Sequence, residues 1–309
     1  MKNYQILLYY MYTPIEDPEQ FARDHAALCE SLGLLGRIIV ASEGINGTVS
    51  GLVESTEAYM QIMHADARFK DMVFKVDASD KHAFKKLSVR HKREIVNFHL
   101  DEDIDPRVET GKKLKPKEFH DMLQRDDVVV IDGRNDYEYE IGHFRKAIKP
   151  DVKAFREFPQ WFEEHRDELA GKTVLTYCTG GIRCEKLSGF LVREGLNDVY
   201  QLDGGIVTYS KDPEVRGHLF DGKCYVFDER IAVQINQTDE DVVVSRCEHC
   251  DKACDRYINC GYLDCHRQHI CCEDCERTMR GFCSAECEVQ AKSNDRVDPL
   301  VLHLQTTVG

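Results

Sequence analysis

Thr173-Val174-Leu175-Thr176-Tyr177-Cys178-Thr179-Gly180-Gly181-Ile182-Arg183 reads as a buried strand that ends on a thiol, a tight turn through two glycines, and the start of a helix. Glycines permit a turn whose backbone N–H groups converge on one point. The helix start adds its positive end. A sulfur in that cradle is stabilised as an anion, so the Cys178 thiol should titrate below its free value. The amides of Thr179, Gly180, Gly181, Ile182 and Arg183 would hold a persulfide or another charged adduct, and Arg183 should place a fixed positive charge at the same mouth. A cysteine at a strand end is also ordinary packing. Packing alone does not call for Thr-Gly-Gly-x-Arg after it.

Working outward, short apolar runs at Val128–Ile131, Thr173–Tyr177 and Val199–Leu202 alternate with helical patterns at Phe119–Gln124, Phe155–Leu169 and Ile182–Glu194. Alternation of this kind predicts a parallel sheet with helices on both faces, over residues 114–219. The acidic stretch Asp101–Pro116 reads as the linker before it. Upstream, residues 1–101 give strands at Tyr4–Tyr12, Leu35–Ala41, Ile45–Ser50 and Met72–Val76, with helices from Asp17-Pro18 to Gly33 and over Glu57–Ala65. Asp17 can cap the first helix, Pro18 suits its first position, and Gln20 can return the bond. The order β-α-β-β-α-β is the ferredoxin-like arrangement.

The chain has 309 residues and a formal charge of -14, which disfavours indiscriminate nucleic-acid binding and leaves room for a local basic face. No secretion signal and no membrane span are read, so a cytoplasmic, reducing location is expected. The 14 cysteines then suit metal binding or catalysis better than disulfides. Ten of them fall in one stretch: Cys247, Cys250, Cys254, Cys260, Cys265, Cys271, Cys272, Cys275, Cys283 and Cys287. Short Cys-x2-Cys and Cys-x3-Cys pairs suit tetrahedral zinc, and two ions would use eight of the ten. His249, His266 and His269 can replace some thiolates, and an iron–sulfur cluster is the rival. Residues 224–293 are therefore expected to form a small metal-stapled module, followed by a loosely held tail from Asn294.

The thiol loop resembles the active-site loop of the rhodanese family, with Cys178 at the nucleophile position. Ile131-Asp132-Gly133-Arg134-Asn135-Asp136-Tyr137-Glu138 with Ile141-Gly142-His143-Phe144 resembles that family's upstream motif, and Leu202-Asp203-Gly204-Gly205-Ile206 the downstream one. Asp132, Arg134 and His143 are expected to serve capping and internal pairing. Cys184 is read as buried on the helix, with a resolving thiol as the alternative. Ala41-Ser42-Glu43-Gly44-Ile45-Asn46-Gly47-Thr48-Val49-Ser50-Gly51 resembles a motif of bacterial rhodanese-containing proteins that hydroxylate tRNA, in which an acylphosphatase-like domain precedes the rhodanese domain and a cysteine-rich tail follows. That resemblance implies oxygen-dependent conversion of the wobble uridine of tRNA to 5-hydroxyuridine, with molecular oxygen as co-substrate.

The stretch Lys81, Lys85, Lys86, Arg90, Lys92 and Arg93 carries six cations with no Asp or Glu between them. His82 and His91 add donors and Phe84 a stacking face, which together suit RNA contact; a solvated strand and loop face is the plain alternative. No dinucleotide fingerprint or iron facial triad is found. Three functions compete: a tRNA uridine hydroxylase, a plain sulfurtransferase carrying a persulfide on Cys178, and a non-enzymatic binding module built on the cysteine segment. The intact thiol loop opposes the last.

Overall fold

The computed structural model describes residues 2–305. The N-terminal domain runs β1 (Tyr4–Tyr12), α1 (Pro18–Ser31), β2 (Leu35–Ala41), β3 (Gly44–Leu52), α2 (Val53–Ala65), β4 (Lys75–Ser79) and β5 (Leu87–His91). Its sheet has the order β4-β1-β3-β2-β5, the ferredoxin-like order with one added edge strand. β1 is apolar on both faces because both are covered. Leu7 and Tyr9 enter the core under α1 and α2, while Leu8, Tyr10 and Tyr12 turn to the next domain.

Asp17 caps α1 through the amide of Gln20 (2.9 Å). Gln20 does not return the bond; its side chain reaches Asp24 instead. α2 begins four residues before the expected Glu57, running straight out of β3 with no side-chain cap to announce it. The fourth strand lies three residues beyond the expected one. Met72 is apolar because it plugs the core from a turn, not because it belongs to the strand.

The central domain contains β6 (Lys112–Leu114), α3 (Pro116–Leu123), β7 (Val128–Asp132), α4 (Asp136–Ile141), β8 (Gly142–Phe144), β9 (Ala147–Ile148), α5 (Phe158–Leu169), β10 (Thr173–Tyr177), α6 (Ile182–Arg193), β11 (Val199–Leu202) and α7 (Gly205–Lys211). The sheet order is β6-β11-β10-β7-β9 and every pairing is parallel. One core, with Phe162, Leu187 and Phe190, fills one face; the other, with Phe119, Leu202 and Tyr209, fills the opposite face. The expected linker is not loose. Ile104 is buried in the first core, Phe98 just upstream stacks on Phe155 (4.6 Å between centroids), and β6 extends the sheet.

β12 (Phe220–Tyr225) and β13 (Ala232–Gln234) form a small sheet with β8. Cys224, at the start of the segment expected to form the cysteine-rich module, has its side chain in the central core. The cysteine-rich module contains β14 (Tyr257–Asn259), β15 (Gln268–Ile270), α8 (Glu273–Thr278) and α9 (Ala285–Ser293). The tail is also tied down, contrary to expectation. Val297 bridges to Tyr262, and Val301 is buried against Gly261 and Gly281; the last four residues lie outside the described ones. No described helix is long and apolar enough to cross a membrane.

Candidate active site

β10 delivers Cys178 to the N-terminal end of α6, where the side chain is buried. The Gly181 amide donates to Cys178 Sγ at 3.2 Å. The carbonyls of Cys178 and Thr179 turn the other way and accept from the amides of Ile206 (3.0 Å) and Val207 (3.1 Å) at the start of α7. With its carbonyls engaged behind, the loop is left with its N–H groups facing the sulfur. A side chain at Gly205 would stand 2.6 Å from the Cys178 carbonyl, so the downstream Gly-Gly motif is what lets the two helix starts meet.

Burial pushes the Cys178 thiol up. Hydrogen bonding from Cys184, the charge of Arg183 and the amides of Cys184 and Arg183 outweigh it and bring the thiol down to about 6. Burial and the adjacent Cys178 hold the Cys184 thiol well above its ordinary value, so Cys184 stays a protonated donor. Cys184 is thus buried on the helix, as read, and also touches the reactive sulfur.

Arg183 is not at an open mouth. Its guanidinium makes a fork to the fully buried Glu138 (2.6 and 2.8 Å) and reaches Thr179 Oγ1 at 3.3 Å. The upstream motif therefore contributes Glu138, which sequence reading quoted without a role. Arg134 pairs with Asp132 (2.7 Å), both fully buried, as expected of internal pairing.

The N-terminal domain roofs this loop. A side chain at Gly180 would meet Leu8 at 3.1 Å. Tyr10 donates to Glu185 at 3.0 Å and Tyr12 to the Ile182 carbonyl at 3.3 Å. Two clefts flank this roof, one of about 460 Å³ reaching Thr179 and one of about 380 Å³ reaching Gly204 and Glu185. Lys75 lines both, with its ammonium 5.1 Å from the Tyr10 ring centre. Burial lowers Lys75 to about 8, against the pull of Cys178 and Asp203. Leu8, Tyr10 and Lys75 carried no local signal in the sequence.

Of the basic run, Lys81, Lys85 and Lys86 line a groove of about 1160 Å³ between the N-terminal domain and the cysteine-rich module. Arg90, Lys92 and Arg93 are exposed at and beyond the far end of β5. Phe84 offers no stacking face: it is buried against Ile6 and Leu35. His82 is engaged by the Ser50 carbonyl and packs edge-on against Tyr4. The aromatic rings along the groove are instead Tyr137, Tyr225, Phe227 and Tyr257, from the other two parts of the chain.

The cysteines gather in two four-thiol groups able to hold a metal ion, Cys247/Cys250/Cys272/Cys275 and Cys260/Cys265/Cys283/Cys287. Eight of the ten are used, and the two groups interleave along the chain. Cys254 and Cys271 belong to neither.

Three family models match consecutive parts of the chain: a UPF0176 acylphosphatase-like domain over residues 4–95, a rhodanese-like domain over 115–212, and a rhodanese C-terminal region over 221–288. Proteins named tRNA uridine(34) hydroxylase match nearly the whole chain. The one from Bacillus licheniformis is 58% identical over 95% of this chain and 91% of its own length. That from Bacillus cytotoxicus is 57% identical over 94% and 90%, and that from Bacillus velezensis 54% identical over 94% and 90%. At that identity and coverage, with the roofed thiol loop and the two four-thiol groups in one polypeptide, the chain belongs to the tRNA uridine(34) hydroxylase family.

Proposed function

We propose that this chain hydroxylates carbon 5 of uridine 34 of tRNA, with Cys178 as its nucleophile. The observation that carries the chemistry is a buried thiol brought down to about 6 by amides, Cys184 and Arg183. In this reading the thiolate adds to carbon 6 of the uracil, and the electrons it pushes in make carbon 5 nucleophilic. Exchange of C–H for C–OH is a two-electron oxidation. Molecular oxygen supplies the inserted atom, and a two-electron donor with two protons reduces the other atom to water. Departure of the thiolate and loss of the carbon 5 proton restore the ring. Lys75 is the cation facing the charge that develops on the uracil oxygens.

The tRNA would approach along the groove of Lys81, Lys85 and Lys86, with Arg90, Lys92 and Arg93 at and beyond the far end of β5 continuing the basic face for the phosphate backbone. This groove and the cleft that reaches Thr179 have Phe227 and Asp228 as a shared wall, which sets the basic face next to the cleft over the thiol loop. Zinc fits the two four-thiol groups: soft thiolates in fours are its structural donor set.

Plain sulfur transfer is the second reading, favoured by a cradle that closes tightly on one sulfur. Nucleoside mass analysis of tRNA separates the two. Cells lacking the protein should lose 5-hydroxyuridine at position 34, recover it with the parent chain, and fail to recover it with Cys178→Ser. Unchanged 5-hydroxyuridine in the deletion would leave sulfur transfer standing.

A further inference from the structure

Beside the first four-thiol group lies a third cluster, His249, His269 and Cys271, whose donor atoms all fall within 4.8 Å of one another. His269 and Cys271 are fully buried. Both ring nitrogens of His269 and Nε2 of His249 are buried with no hydrogen-bond partner. The rings meet edge to face, at 86° with centroids 5.4 Å apart. Buried polar atoms are nearly always paired, and three unpartnered imidazole nitrogens in the same small space need a common explanation. Cys271 Sγ has one weak contact, to the Cys272 carbonyl at 3.5 Å, and hydrogen-bonds Cys247 of the four-thiol group.

We propose that His249, His269 and Cys271 hold a third zinc ion, with Cys247 Sγ bridging to the ion of the neighbouring four-thiol group. Two imidazoles and two thiolates complete a tetrahedral set. Ligand atoms of such a set stand roughly 3.3–3.8 Å apart for bonds of about 2.0–2.3 Å, so modest rotation of the two rings closes the site. The charge also improves. Five thiolates, the four of the group plus Cys271, against two dications leave a single negative charge. The module would then hold a two-metal cluster at the end nearer β15 and a single ion at the other.

This inference rests on the reading that the four-thiol groups bind zinc, and metal counting separates the two. The full chain, purified reduced and dialysed free of loosely held metal, should contain three zinc ions by elemental analysis and native mass spectrometry. Reconstituted with 113Cd, it should give a resonance of mixed nitrogen–sulfur type beside those of the all-sulfur sites. His269→Phe keeps an aromatic ring in the buried space, and His249→Gln changes a ligand nearer the surface. Each should drop the count to two and erase the mixed resonance. Two ions in the parent, or three retained in both variants, overturns the third site and leaves the four-thiol reading intact. No metal in the parent overturns both.

Discussion

Lys186, on the helix that follows the thiol loop, places its ammonium 2.7 Å from Glu43 on the β2–β3 turn of the N-terminal domain. The lysine is fully buried and also meets Asp103 (2.8 Å) and Glu94 (3.8 Å). Glu43 in turn accepts from the Ile95 amide at 2.7 Å. One cation thus ties the turn, the segment after β5 and α6 into a single block. Lys186→Met strands Glu43 and Glu94 without their cation at a buried interface and should cost about 3–5 kcal/mol in denaturant unfolding. Adding Glu43→Gln should restore part of that loss, since one uncompensated charge is removed.

Cys178 should alkylate as a thiolate with an apparent value near 6, reactivity falling as pH drops through it. Cys184→Ala removes a hydrogen bond to the anion and should raise the apparent value. Iodoacetamide kinetics against pH, in protein loosened by the Leu8→Ala change so that reagent reaches the sulfur, checks both. An apparent value at or above roughly 8.5, the free thiol's, contradicts the cradle.

Hydroxylation should follow a bell-shaped pH profile. The thiolate forms above about 6, and the Lys75 ammonium is lost above about 8. Both charges coexist only between those values, so kcat/KM should peak near neutrality. Lys75→Arg keeps the cation at high pH and should move the upper flank alkaline. Lys75→Met should depress kcat and leave no alkaline flank from this residue.

Replacing Lys81, Lys85 and Lys86 by Ala should weaken tRNA binding and flatten its salt dependence, by roughly 0.7 in log–log slope per lost phosphate contact. Phe227→Ala should weaken binding with the slope unchanged, because stacking releases no counterions. Filter binding across salt concentrations reads both. Equal slopes in parent and triple variant would move the RNA to another face.

Chelation at neutral pH should melt the cysteine module before the two larger domains, because its short helices α8 and α9 bury almost nothing of their own. Hydrogen exchange would show protection lost first between residues 245 and 293, with β10 and β3 still closed.

The thiol loop was legible because its chemistry is local: strand, glycines and helix start occupy consecutive positions. The ferredoxin-like order was legible for the same reason, with errors where apolar residues serve turns, as Met72 does. The roof was not legible. Leu8 and Tyr10 read as an ordinary strand, and nothing in sequence says that a strand buried on both faces turns one of them to another domain's sulfur. Glu138 was quoted within a motif, yet its pairing with Arg183 spans 45 residues. The partition of the cysteines also escaped, because interleaved pairs and sequential pairs have identical spacing. Phe84 misled for a simpler reason: an aromatic in a basic run looks exposed until the sheet buries it.

A thiolate populated at neutral pH is the form that peroxides attack, and its oxidation beyond the sulfenic acid is one-way. Leu8 and Tyr10 leave Cys178 only 1% exposed. Oxidants free in solution therefore meet a covered sulfur. β1 is hydrogen-bonded to β3 on one edge and β4 on the other, so uncovering Cys178 would move the N-terminal sheet as a body rather than one strand.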